Sequence, residues 1–336
     1  MKLPFLIMLT GRVSLFWVIL AAPSLVAGQQ PFLVPPPAVL SASPASPSPG
    51  QKFTVTAATP TLDKYTTYFE WAVEGVAKPE FSGMGKREIT LTAGKIGSRT
   101  RVKVMVTGAR GESAQTAASI TVSDITLVWS AETYTPKWYK GRTLPVAGSP
   151  IRVSVIPHII LDGVRIPPEQ LFYEWSVDSA TANALVGVGE HTLKFDAADS
   201  PGASQRVAVV VQDIDKQIRK EARVYIDTAT PQIALYQMTP LGGIEKRVTA
   251  LYYGMLQRGI NDFVGEPFFF PATSRRELSY QWKIRNKKLE GTPQNPFFLT
   301  IDTASFEEKE IPLNLSVDDT SPTTPPVSRT FLMRLK

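Results

Sequence analysis

The chain contains no cysteine. That excludes disulfides, thiolate zinc sites and thiol catalysis. It also excludes the lipid-modified cysteine of a lipoprotein anchor. Histidine is nearly absent too, with only His158 and His191. The two fall in different parts of the chain, and neither is near a G-x-S-x-G nucleophile motif. No H-E-x-x-H and no phosphate-cradling glycine loop occurs. The chain is therefore expected to be no enzyme and to carry no cofactor and no metal. A carboxylate-pair glycosidase is the weaker alternative, since two acids would have to converge in a cleft. Asp213, Asp215, Asp318 and Asp319 lie at equivalent hairpin ends, with Asp196 and Asp199 nearby. Their spacing matches no calcium loop, and Asp is common in turns for its own reasons.

Long apolar runs are missing except at the N-terminus. There Lys2 and Arg12 precede an apolar stretch from Val13 to Val26, followed by Ala27 and Gly28. This is the layout of a secretory signal peptide cleaved after Ala27 or Gly28. Uncleaved, residues 1–28 are an anchor. Residues 29–37 read as a Pro-rich spacer, extended and semi-rigid.

What remains is repetitive. Tyr68-Phe69-Glu70-Trp71, Tyr173-Glu174-Trp175 and Tyr280-Gln281-Trp282 recur about every 105 residues, the size of one small domain. About twenty residues before each Trp, Gly50, Gly148 and Gly265 open an alternating or apolar run. Downstream come further strand patterns such as Arg101 to Val106, Arg206 to Val211 and Ile311 to Val317. Six or seven short strands per repeat, with turns between them, predict an antiparallel β-sandwich. The expected fold is all-β: three tandem sandwiches over 38–123, 124–228 and 229–336. Tyr68, Trp71, Tyr173, Trp175, Tyr280 and Trp282 are expected to pack their cores. A binding role for the tryptophans is the alternative.

The Tyr-x-Trp strand, the Gly-led strand before it and the runs ending in Val211-Gln212-Asp213 and Val317-Asp318-Asp319 resemble PKD-like domains. These are immunoglobulin-like sandwiches common in bacterial surface proteins. The PKD pattern has acidic and glycine residues straight after the Trp. Here the stretches are Ala72-Val73-Glu74-Gly75, Ser176-Val177-Asp178-Ser179 and Lys283-Ile284-Arg285-Asn286. Only the first has the glycine. The resemblance implies an exported rod that spans distance and presents loops. An exported chain of such units without cysteine suits a bacterial source.

Loops on a rigid sandwich are where binding usually resides. The second repeat carries an insertion in which Lys137, Trp138, Tyr139, Lys140 and Arg142 interleave aromatics with cations. These are the candidate binding residues, able to stack on sugar rings with the cations on an acidic glycan. The favoured reading of Trp138 and Tyr139, though, is that they cap the end of a sandwich or pack against a neighbouring unit, because aromatics at domain junctions commonly bury interface area. A third-repeat insertion, Ile244 to Arg258, reads as a short helix or a flanking strand covering a sheet edge. Net charge is +6, or about +4 without the leader, too dispersed for a dedicated nucleic-acid binder. The expected role is a non-enzymatic cell-surface or periplasmic module for adhesion or assembly, whose partner is a protein or envelope component. A glycan-binding module is the alternative. No nucleic acid is expected, and membrane contact comes only through an uncleaved leader.

Overall fold

The computed structural model describes residues 38–63, 65–161, 163–178, 180–239, 241, 243–244, 256–289, 294–319 and 325–336. The leader, the spacer and residues 245–255 of the third-repeat insertion lie outside them.

The described chain is all-β apart from short 3-10 turns. The first sandwich comprises β1 (Val39–Ser43), β2 (Lys52–Ala58), β3 (Tyr68–Val73), β4 (Val76–Ala77), β5 (Gly83–Met84), β6 (Glu88–Thr92), β7 (Arg99–Thr107) and β8 (Ser113–Thr121). One sheet runs β1-β2-β6 and the other β4-β3-β7-β8, with β5 also on β3. The second comprises β9 (Asp124–Ala131), β10 (Pro150–His158), β11 (Ile160–Leu161), β12 (Val164–Arg165), β13 (Phe172–Val177), β14 (Ala180–Val188), β15 (Thr192–Asp196), β16 (Ser204–Gln212) and β17 (Arg219–Asp227). Its sheets run β9-β10-β15 and β14-β13-β16-β17, beside a small β11-β12 hairpin. The third comprises β18 (Gln232–Thr239), β19 (Gly243–Ile244), β20 (Ile260–Phe268), β21 (Ser279–Ile284), β22 (Lys287–Leu289), β23 (Phe298–Asp302), β24 (Glu310–Asp318) and β25 (Val327–Arg334). Its sheets run β19-β18-β20-β23 and β22-β21-β24-β25. In each unit the chain starts in one sheet, crosses to the other, returns for one strand and crosses again. This is the immunoglobulin-like arrangement.

Strand alternation builds the cores. On β7, Val102, Val104 and Val106 are buried while Arg101, Lys103 and Met105 face out. Separate apolar cores form between the paired sheets of each sandwich. Trp71, Trp175 and Trp282 sit at their centres, each at most 1% exposed. A buried indole needs a partner for its N–H. All three find the same one. Trp71 donates to Lys86 O at 2.8 Å, Trp175 to Glu190 O at 2.7 Å and Trp282 to Pro296 O at 2.9 Å. Each acceptor lies two residues ahead of β6, β15 or β23, so the indole ties one sheet to the entrance of the other.

Tyr68 corrects the sequence expectation. It is 43% exposed, whereas Phe69 is fully buried. Period two explains this: the residue two before Trp71 shares its face, and Tyr68 is three before. The true counterparts are Phe69, Tyr173 and Tyr280. Tyr173 is fully buried and its hydroxyl donates to Pro168 O. Tyr280 is half-buried against the third core, and its hydroxyl donates to Arg275 O.

The turns after the tryptophans show what the missing glycines cost. Glu74 and Gly75 both have positive φ, and so do Arg285 and Asn286. That is the geometry of a tight hairpin turn, which favours Asn and Gly. Arg285 occupies it against its own steric preference.

Candidate functional site at the joint between the second and third sandwiches

The loop from β9 to β10 leaves the second sandwich and lies on the third. Tyr134 N–H donates to Phe270 O at 2.8 Å, and Phe269 N–H donates to Tyr134 O at 2.7 Å. Ala229 N–H donates to Pro145 O at 2.7 Å, pinning the connection between the sandwiches. Within the loop, Thr133 Oγ1 donates to Leu144 O. Phe269 holds a left-handed φ of 62°. For a bulky residue that conformation is strained and needs its surroundings to enforce it.

Trp138 and Tyr139 extend this contact. Trp138 meets Tyr236 edge-on at 5.5 Å between centroids and Phe268 at 5.9 Å. Tyr139 meets Phe268 at 5.6 Å and Phe269 at 5.8 Å. The rings close over a small core of Val146, Tyr236, Phe268 and Phe269. Such edge-to-face pairs each contribute about 0.5–1.5 kcal/mol beyond area burial.

Beside the rings lies a buried polar network. Glu266 is 1% exposed. Tyr134 Oη donates to its Oε1 at 2.8 Å, and Arg275 Nη1 meets its Oε2 at 2.7 Å. The Arg275 guanidinium also stacks 3.8 Å from the centroid of Phe297. Burial raises the Tyr134 phenol above its ordinary pKa, and the Glu266 charge raises it further. Tyr134 thus stays protonated and remains a donor. A buried carboxylate is tolerable only when paired in this way.

The three cations of the insertion lie at the surface. Lys137, Lys140 and Arg142 are exposed. The Arg142 guanidinium sits 4.4 Å over the Trp129 ring of β9. Lys137 lines an open cleft of about 460 Å³ with Trp138, Ser274, Arg275 and Arg276. Lys137 and Trp138 thus share one cleft, while Arg142 lies on Trp129. The residues that sequence reasoning missed are Tyr134, Glu266 and Arg275. A signal existed, because Glu266 interrupts the apolar run Gly265 to Phe270.

The joint between the first and second sandwiches is also tied. Val122 is 1% exposed and Ser123 fully buried. Ser123 N–H donates to Pro47 O at 3.1 Å. Lys220 Nζ donates to Ser46 O at 2.6 Å and to Ser48 Oγ at 3.1 Å. Burial lowers the pKa of Lys220, and the charge of Asp124 works against that.

Among the described residues, no three His, Asp or Glu side chains gather as metal ligands would. No helix among them is long and apolar enough to cross a membrane.

No family model matches the chain, and no curated protein matches it at a significant level. Solved structures do. The central fibronectin-III array of RIM-binding protein is 12% identical, with a TM-score of 0.33, covering 89% of this chain and 98% of that one. Fibronectin(III)-like modules of Clostridium thermocellum CbhA are 10% identical, TM-score 0.29, covering 57% and 94%. The three N-terminal domains of the bacteriophage RB49 outer capsid protein Hoc are 10% identical, TM-score 0.29, covering 89% and 98%. These likenesses assign no activity.

Proposed function

We propose that this chain is a non-enzymatic, extracytoplasmic module of bacterial origin that holds distance and engages a protein partner. In this reading residues 1–28 are a signal peptide or anchor and 29–37 a stalk. Three PKD-like domains follow over 38–123, 124–228 and 229–336. One observation carries the proposal. The most elaborate loop of the second sandwich is committed to the joint, where Trp138, Tyr139 and Tyr134 hold it on the third. A loop used this way stiffens an array, and stiffness is what a spacer requires.

The test is site-specific photo-crosslinking in the native cell, from exposed positions on each sandwich. The expected result is a protein adduct of discrete mass in the envelope fraction. Recovery of the chain in the cytosol would overturn the reading. So would saturable binding of acidic oligosaccharides lost on Trp138→Ala or Lys137→Ala, which would favour the glycan alternative through the Lys137 cleft.

A further inference from the structure

On the outer face of the second sandwich, Phe172 and Glu174 alternate with buried Tyr173 and Trp175 on β13. The register sets Phe172 opposite Val188 of β14 on one side and Gln212 of β16 on the other. The turn after β16 rises beside them. Phe172, Glu174, Val188, Asp213, Ile214 and Lys216 line an open cleft of about 350 Å³, together with Gln212. Val188 is 54% exposed and Ile214 is 68% exposed. The cleft thus has exposed apolar walls, at Val188 and Ile214 above all.

Asp213 is only 4% exposed. Its Oδ1 accepts from Ile218 N–H at 2.6 Å. Its Oδ2 is buried and has no hydrogen-bond partner among the described residues. An unmet carboxylate oxygen is costly, and in native folds it asks for a donor. The other sandwiches lack this combination. The position of Phe172 is taken by Tyr68 in the first, where the residue matching Asp213 is Gly108. In the third, Asp319 matches Asp213, but the aromatic is replaced by Ser279.

We infer that this cleft binds an alkylammonium group. The apolar stem lies on Phe172, Val188 and Ile214. The ammonium supplies the donor that Asp213 Oδ2 lacks, with the Glu174 carboxylate adding to the field. A lysine side chain of a partner protein and a free diamine share this chemistry. Lys216 stands at the rim with the same charge as the ligand and opposes it. The cleft is separate from the joint with the third sandwich, so the two assignments stand or fall independently.

The test is saturation-transfer NMR on the full chain with three probes: Nα-acetyl-lysine amide, 1,5-diaminopentane and the uncharged Nα-acetyl-norleucine amide. The lysine probe is expected to bind saturably at about 1 mM, as suits a small ligand with one charged contact. Norleucine amide should bind at least about tenfold more weakly, a loss of one charge-assisted hydrogen bond. Asp213→Asn keeps an acceptor for Ile218 N–H and should weaken the lysine probe by a similar factor. Phe172→Ala should weaken it too, and Lys216→Gln should tighten it. Binding of the diamine without the lysine probe would point to a free amine as the natural ligand. No saturable binding of either amine would overturn the inference. Equal binding of norleucine amide, or wild-type affinity in Asp213→Asn, would do the same.

Discussion

The hydroxyl of Tyr134, carried by the second sandwich, donates at 2.8 Å to the buried carboxylate of Glu266 in the third. This bond and the Glu266–Arg275 ion pair depend on each other. Remove the hydroxyl, and half of a dry carboxylate loses its partner. Tyr134→Phe should cost about 1–3 kcal/mol of coupling between the two sandwiches. Arg275→Met removes the ion pair of a buried charge and should cost more, about 3–5 kcal/mol. Urea unfolding monitored separately in each sandwich checks this. A pair of variants that unfold as wild type would show that the network contributes nothing.

Trp138→Ala probes the aromatic part of the joint without entering any of the three main cores. The expected outcome is a broader distribution of end-to-end distances in solution scattering, with the individual sandwiches intact by circular dichroism. The loss should be about 1–3 kcal/mol, from two edge-to-face contacts. An unchanged distribution would mean that the backbone bridges at Tyr134 and Ala229 suffice alone.

Tyr68 and Phe69 are adjacent and face opposite ways. Phe69→Ala should destabilise the first sandwich by about 3–5 kcal/mol. Tyr68→Ser should stay within about 0.5 kcal/mol, as surface changes do. Thermal unfolding of the two variants side by side decides it; equal losses would contradict the register.

Gly265 allows Trp282 its place. A Cβ there would collide with Leu315 Cδ2 and press the Trp282 ring. Gly265→Ala should therefore overpack the third core at a cost of about 1–3 kcal/mol. A variant as stable as wild type would show that the core has room to yield.

Burial pushes the Tyr173 phenol from 10.0 up to about 12, with the Glu169 charge adding to it. Between these values the unfolded chain loses the proton first, so folding weakens as pH rises. The slope is about 1.4 kcal/mol per pH unit for one such group. Below pH 10 the contribution is constant. Urea midpoints measured from pH 8 to 12 should fall only above 10, and Tyr173→Phe should flatten part of that fall.

The repeat was legible because it is written in strand alternation and one large aromatic, which local sequence carries in full. Tyr68 faces out because it lies three residues before Trp71, not two, and period two puts it on the opposite face. The joint was less legible. Trp138 and Tyr139 could be read as exposed or packed, since the choice depends on Tyr236 and Phe268, about a hundred residues away. Glu266 breaks an apolar run, a visible signal, but its partners do not follow from that: Tyr134 comes from another sandwich and Arg275 from beyond its strand. The third-repeat insertion falls mostly on 245–255, outside the described residues.

Only Val122 and Ser123 separate β8 from β9, and both are buried. Such a link has almost no slack. Pulled from its ends, two residues can add roughly 7 Å of contour length at most. Beyond that, tension on the first joint has to be borne by the sandwiches themselves, so a mechanical load would pass from one fold to the next with no spring between them.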